Sequence, residues 1–169
     1  MKKNSFFRDL LEVIIAVAVI SFILLKFIVM PCQVNGKSMF PTLKEGYRTY
    51  SFIISRNIGI NRFDICVVDT KTEDNEKLLV KRIIGMPNET IEYKNNVLYI
   101  DGVETNEDFL GDDVYTDDFV VTLKEDEYFC MGDNREVSKD SRFYGPFKKD
   151  AILATKMFVL YPFSEIGFK

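Results

Sequence analysis

The pattern of apolar and polar positions divides the chain near residue 30. Before it, Val13 to Leu25 is apolar except for Ser21, and Phe27-Ile28-Val29-Met30 follows Lys26. A span from about Leu10 to Met30 offers the ~20 apolar residues that a bilayer crossing needs. Glu12 and Lys26 fall near its ends, where long side chains can reach the headgroups. Beyond residue 30 the apolar positions come in short runs of period two. Arg62 to Asp69 reads as a strand, with Phe63, Ile65 and Val67 on one face and Asp64, Cys66 and Val68 on the other. Leu78–Ile84, Thr90–Tyr93, Val97–Ile100, Phe119–Leu123, Glu127–Met131 and Ile152–Tyr161 read likewise. Lys94-Asn95-Asn96 and Asp101-Gly102 carry turn chemistry. No amphipathic helix is predicted after residue 30. Short, closely spaced strands predict a mostly β fold of coiled, barrel-like sheets.

The first segment reads as an uncleaved anchor. Its exit, Val29-Met30-Pro31-Cys32-Gln33, lacks the small residues of a signal-peptide cleavage site, and Pro31 stands where a lipoprotein signal has a small residue. Lys2, Lys3 and Arg8 precede the span, and Lys37, Lys44 and Arg48 follow within residues 31–50, so the positive-inside rule does not set orientation. The short N-terminal tail favours an N-inside placement.

Composition narrows the chemistry. The 169 residues are 47% hydrophobic and 28% charged, enough for a packed core. A net charge of −4 argues against a nucleic-acid partner. Cys32, Cys66 and Cys130 make neither a disulfide framework nor a C-x-x-C zinc site, and Cys66 and Cys130 read as buried small hydrophobes. No metal or cofactor is expected. Residues 95–123 hold no Lys or Arg but eight acids, Asp101, Glu104, Glu107, Asp108, Asp112, Asp113, Asp117 and Asp118. Their spacing does not match a calcium loop, and a solvated acidic lobe is expected. The chain has no histidine. Any serine nucleophile must therefore give its proton to another base, and a buried lysine is the chemical alternative.

Three segments could carry such chemistry. In Asn35-Gly36-Lys37-Ser38-Met39-Phe40-Pro41-Thr42-Leu43, Pro41 and Gly36 shape a turn around Ser38. In Leu78-Leu79-Val80-Lys81-Arg82-Ile83-Ile84, alternation puts Lys81 on one face with Leu79 and Ile83, and Arg82 opposite. A lysine so placed either snorkels to water or becomes neutral. Met131 to Arg142 is dense in Gly, Asp, Asn and Ser and reads as a loop held by Asp–Arg pairs, able to orient a neighbouring lysine.

Together these segments resemble the bacterial type I signal peptidases over almost the whole chain. The resemblance rests on the anchor, Ser38-Met39-Phe40-Pro41-Thr42-Leu43, Arg62-Phe63-Asp64-Ile65-Cys66-Val67-Val68, Lys81-Arg82-Ile83-Ile84-Gly85-Met86-Pro87, and Gly132-Asp133-Asn134-Arg135 through Ser138, Asp140, Ser141 and Arg142. It implies an N-terminal transmembrane helix followed by a coiled antiparallel β-sheet catalytic domain with a small inserted β lobe. Residues 1–30 would be tail and anchor, and residues 31–169 the extracytoplasmic domain, with the lobe at about 95–127. It implies Ser38 as nucleophile and Lys81 as general base. Ser138 would orient the lysine, Asp140 and Arg142 would form a supporting ion pair, and Asp133 and Arg135 would be structural members of the same loop. The Ser38 backbone N–H would be one oxyanion donor.

Two departures from the family pattern stand out. Gly36 replaces a serine that gives some members a second oxyanion donor, and Phe63 stands where the family often has glycine. The implied substrates are exported preproteins with small residues at the first and third positions before the cut. They would lie as an added strand against Gln33, Val34, Asn35 and Gly36 on one side and Leu78, Leu79 and Val80 on the other. The implied location is the outer face of the cytoplasmic membrane, with the bilayer as a partner. Two other readings exist. A self-cleaving repressor would carry a DNA-binding domain where this chain has its apolar span. A silent, membrane-anchored β protein binding exported chains would differ only in turnover.

Overall fold

A computed structural model describes residues 3–70, 78–111 and 113–169 of the chain. Lys2 and Asp112, which entered the charge arguments above, lie outside the described residues. Helix α1 (Lys3–Ile28) contains the 23-residue span Phe6–Ile28, with an 18-residue stretch of mean hydropathy 2.6 in which no described residue is buried against the rest of the protein. It is long and apolar enough to cross a bilayer.

The helix stops at Ile28, short of the expected Met30, because Val29–Gln33 forms strand β1 directly after it. β1 pairs antiparallel with β2 (Arg48–Phe52), in register from Val29↔Phe52 to Gln33↔Arg48. Pro31 is tolerated because β1 is an edge strand that need not donate on its outer side. The chain continues through α2 (Ser55–Ile58), β3 (Ile65–Asp69), β4 (Leu78–Gly85), β5 (Thr90–Lys94), β6 (Val97–Ile100), β7 (Val103–Thr105), β8 (Phe119–Thr122) and β9 (Glu127–Met131). Helix α3 (Ser141–Tyr144), β10 (Phe147–Lys148), β11 (Ile152–Tyr161) and β12 (Gly167–Phe168) complete it. The two one-turn helices α2 and α3 were not expected; they are too short for a 3.6-residue pattern to register.

Eight strands form one antiparallel sheet in the order β1-β2-β11-β3-β4-β9-β10, with β12 added to β11. A second, four-stranded sheet runs β7-β6-β5-β8. Its hairpins turn at Asn95-Asn96 and Asp101-Gly102, where all four residues have positive φ, the geometry that two-residue hairpin loops need. The large sheet is buried on both faces. Cys66, Val68, Leu79, Ile83 and Cys130 pack on one side, and Val34, Met39, Leu43, Ile65, Val67 and Met157 on the other. Ile84, Ile91, Tyr93, Leu98 and Phe129 join the two sheets.

The acidic lobe is solvated at Asp101, Glu104, Asp108, Asp113, Asp117 and Asp118, but Glu107 is turned inward. Phe63 stands in a turn with φ +67, the backbone conformation that a glycine there would adopt without strain. A bulky residue in the left-handed region costs about 1–2 kcal/mol. Here its ring stacks 5.1 Å from Phe109, and its N–H and C=O are held by Ile83 and Arg82.

Candidate active site

Lys81 stands in the middle of β4, paired across the ladder with Cys66 and only 2% exposed. Its face of the strand is apolar, with Leu79 and Ile83 on either side and Cys66 and Cys130 across it. The alternation read from the sequence holds, and the lysine does not snorkel. The Cys66 thiol donates to Cys130 at 3.8 Å. That contact, then burial, push the Cys130 thiol well above its ordinary pKa, and both Asp140 and Lys81 lie close enough to act on it electrostatically. Lys81 and Asp140 therefore share one small region beneath β4 and β9.

Ser38 lies in the turn after β1. The closing piece is Gly132, at the end of β9. A Cβ at Gly132 would collide with the Ser138 hydroxyl and the Ser38 carbonyl oxygen, so only glycine lets the two segments meet there. The Asn134 N–H donates to that same Ser38 carbonyl at 3.0 Å, and the Asn134 carbonyl accepts from Ser138 N–H at 3.1 Å. One loop thus holds the backbone of Ser38 and the side chain of Ser138 together. The Ser138 hydroxyl is buried and helps keep the Asp140 carboxyl low, yet has no partner of full hydrogen-bond geometry among the described residues.

The two structural aspartates and arginines part company. Asp133 takes Arg82 in a two-point ion pair, Nε to Oδ1 at 2.9 Å and Nη2 to Oδ2 at 2.6 Å, and also accepts from Thr42 Oγ1 at 2.6 Å. Arg82 further donates to the Phe63 carbonyl and stacks 4.0 Å over the Phe109 ring. This buried cluster fastens the Ser38 turn, β4 and the last loop to one another. Arg82 was legible as the charged residue opposite Lys81, but its partner was not. Arg135 turns instead to the second sheet, donating to Tyr93 Oη at 2.7 Å, Thr116 Oγ1 at 3.0 Å and the Glu107 carboxylate. Tyr93 is pushed far above its usual pKa, chiefly by burial. Nothing in the acidic run singled out Glu107 as the member that would be enclosed.

Asp140 and Arg142 form the expected pair, with Nε to Oδ1 and Nη2 to Oδ2 both at 2.9 Å. Asp140 also caps α3 through Arg142 N–H and accepts Gly132 N–H at 3.0 Å. Burial opposes its charge, but Arg142 and the Gly132 N–H outweigh burial and hold the carboxyl below its ordinary range. A carboxyl depressed in the folded state contributes stability above its unfolded pKa and loses it as pH falls through the folded value. Asp140→Asn is therefore expected to lower the urea midpoint at pH 7. The gap to the unchanged protein should narrow as pH falls below ~4, the unfolded carboxylate value. A gap that is constant across that range would show that Asp140 acts by shape alone.

Among the described residues both expected strand edges are open: β1 has a partner strand on one side, and β4 pairs with β9 from Arg82 onward, with no described strand paired to Leu78–Val80 on that side. Val34 and Val80 pack in the same apolar cluster, so the two edges face a common interior. Gln33, Asn35, Gly36 and Leu78 are exposed, Leu79 is buried and Val80 half-buried. Gly36 has φ +87, a conformation that suits glycine and would strain a serine there.

Comparison with known proteins agrees with this geometry. The family described as "Signal peptidase, peptidase S26" matches residues 7–161. Signal peptidase IB of Staphylococcus aureus (strain MRSA252) is 37% identical over 183 residues, covering 95% of this chain and 94% of its own. Signal peptidase I of Bacillus licheniformis is 37% identical over 177 residues, covering 98% and 94%. The crystal structure of a signal peptidase I from Enterococcus faecalis superposes with a TM-score of 0.51 at 33% identity, covering 57% of this chain and 96% of that one. The mostly β fold behind an apolar N-terminal helix, the Ser38 turn, the buried Lys81 and the loop from Gly132 to Arg142 have one common explanation: the chain belongs to the signal peptidase family, peptidase S26, and is a serine endopeptidase.

Proposed function

We propose that this chain removes signal peptides from exported preproteins with a Ser38/Lys81 dyad, at the outer face of the cytoplasmic membrane. The observation that carries the reading is the burial of Lys81 on an apolar face of β4, whose neighbour β9 leads into Gly132, packed against the Ser38 carbonyl and the Ser138 hydroxyl. Burial disfavours the ammonium and favours the neutral amine, the form that can accept a proton. Neutral Lys81 takes the Ser38 Oγ proton as Oγ bonds to the scissile carbonyl carbon. The Ser38 backbone N–H supports the resulting oxyanion. The C–N bond then breaks, Lys81 returns the proton to the leaving amine, and an ester on Ser38 remains. A water attacks that ester, again giving its proton to Lys81, and Ser38 is restored. Ser138 and the Asp140–Arg142 pair hold the lysine in place. Asp133 and Arg135 shape the loop that carries Ser138.

In this reading residues 1–30 are the tail and anchor, N-terminus inside. Residues 31–169 form the outer catalytic domain, with residues 95–127 as its lobe. The exposed apolar surface of α1 supports the anchor. An apolar cleft of about 720 Å³ joins Phe22 and Leu25 of α1 to Tyr50, Phe52 and Phe158. Tyr161, Phe163, Ile166 and Phe168 extend that apolar surface, which favours a domain resting on the bilayer.

The open edges of β1 and β4 favour a substrate added as a strand, its alternate side chains entering the interior lined by Val34 and Val80. Purified protein in detergent is expected to cut a preprotein once, after a segment with small residues at its first and third positions before the cut. Phenylalanine at either position should lower kcat/KM at least 100-fold, the effect of a side chain that cannot enter a packed pocket (on the order of 3 kcal/mol). Efficient cutting of both phenylalanine substrates, read by mass spectrometry of the products, would remove the strand-addition reading.

A further inference from the structure

The open edges account for the residues before the cut. A second groove adjoins the Ser38 turn, and none of the residues on those edges lines it. It has two halves, of about 450 and 370 Å³, and both are lined by Phe40 and Asn134. Asn134 is the residue whose N–H holds the Ser38 carbonyl, so the groove begins at the nucleophile's own backbone. Phe40 is 49% exposed, a large aromatic surface in the nucleophile turn that the core does not use. The first half carries Lys37 and Lys44 against a single acid, Glu45. The second carries Asp113 and Glu136, and its arginine, Arg135, is already committed to Glu107. The groove is therefore basic beside the nucleophile and acidic toward the lobe.

We propose that this groove holds the first residues of the mature protein, those just after the cut. Phe40 is the platform, and Lys37 and Lys44 select an acidic side chain over a basic one there. The proposal rests on Ser38 being the nucleophile: Phe40 lies in the same turn as Ser38 and Asn134 holds the Ser38 carbonyl, so the groove adjoins the point of attack. Lys37 directly precedes Ser38, so the basic half meets the substrate first. An aromatic face next to cations suits a short extended peptide, which buries one apolar side and keeps its charges at the rim.

The test uses the full chain in detergent and two preproteins identical except for Glu or Lys at the second residue after the cut. The unchanged enzyme is expected to favour the Glu substrate in kcat/KM by about fivefold or more, the size of two exposed charge contacts. The preference should shrink in ~1 M salt, where such contacts are screened. Lys37→Glu/Lys44→Glu should reverse the preference. Because the readout is a ratio of ratios, a general loss of folding or activity cancels. A ratio that stays within about twofold between the two enzymes, or a wild-type ratio near one, overturns the proposal. A Ser38→Ala control separates the two readings. Residual cutting there removes the nucleophile assignment, whereas a charge ratio of one with a silent Ser38→Ala removes only the groove.

Discussion

Lys81→Arg is expected to fold and to cut no preprotein. Arginine has a similar reach, but its guanidinium stays protonated in a protein, so it cannot serve as a base. The loss in kcat should be about 10⁴-fold or more, the scale on which hydrolases fail when a nucleophile or its base is removed. Ser38→Ala should fail equally, and the double variant should be no worse than either, because the two residues act as one device. Lys81→Met is the informative companion. Its side chain enters the space between Leu79, Ile83, Cys66 and Cys130 as an apolar stem of similar length, so its urea midpoint should equal or exceed that of the unchanged protein. The same dyad predicts a rate that rises with pH through one ionisation well below ~10.4, the value of a free lysine. If purified Lys81→Arg kept near-normal kcat/KM, the base would have to be sought elsewhere.

Asp133→Ala is expected to cost about 3–5 kcal/mol of folding stability, because it strands a buried guanidinium. Domains of this size are stable by only about 5–15 kcal/mol, so the variant should be close to unfolding. Arg82 has little access to water and would keep the Phe63 carbonyl, a long 3.4 Å contact to Thr42 Oγ1 and the Phe109 ring, none of which is an anion. Thr42 would lose the acceptor that ties the Ser38 turn to the last loop. Replacing both partners, as Arg82→Met/Asp133→Leu, removes the stranded charge and should recover much of the stability. It should recover less of the activity, since the tie through Thr42 stays broken. Urea denaturation of the three variants decides the matter; a loss below about 1 kcal/mol for Asp133→Ala would mean that Arg82 finds water.

Several strands were legible because their limits are chemical. Val97–Ile100 is enclosed by Asn95-Asn96 and Asp101-Gly102, and Glu127–Met131 and Ile152–Tyr161 match their apolar runs. The burial of Lys81 followed from alternation, once the family resemblance had weighed against snorkelling. Of the strands that escaped notice, β7, β10 and β12 are only two or three residues long, and β1 and β2 were missed for opposite reasons. β1 hides in an apolar run, where a strand and the end of a membrane helix look alike. β2 inverts the usual pattern: Thr49 and Ser51 point inward while Arg48 and Tyr50 face out. Thr49 is satisfied by the Cys32 carbonyl of the neighbouring strand, a tertiary contact that residue order alone does not reveal. Glu107 was one acid among eight, and only the fold brings it to Arg135.

The direct passage of α1 into β1 has a mechanical consequence. No slack joins the apolar helix to the sheet: Ile28 ends one element and Val29 begins the next, whose five residues are locked to β2. Where the helix is fixed in a bilayer, Ser38 stands at a set height above it. At about 3.3 Å per extended residue, the ten residues from Ile28 to Ser38 allow at most ~33 Å. The enzyme is then a gauge as well as a blade: of all segments with suitable side chains, only those that emerge from the membrane at that height are within reach.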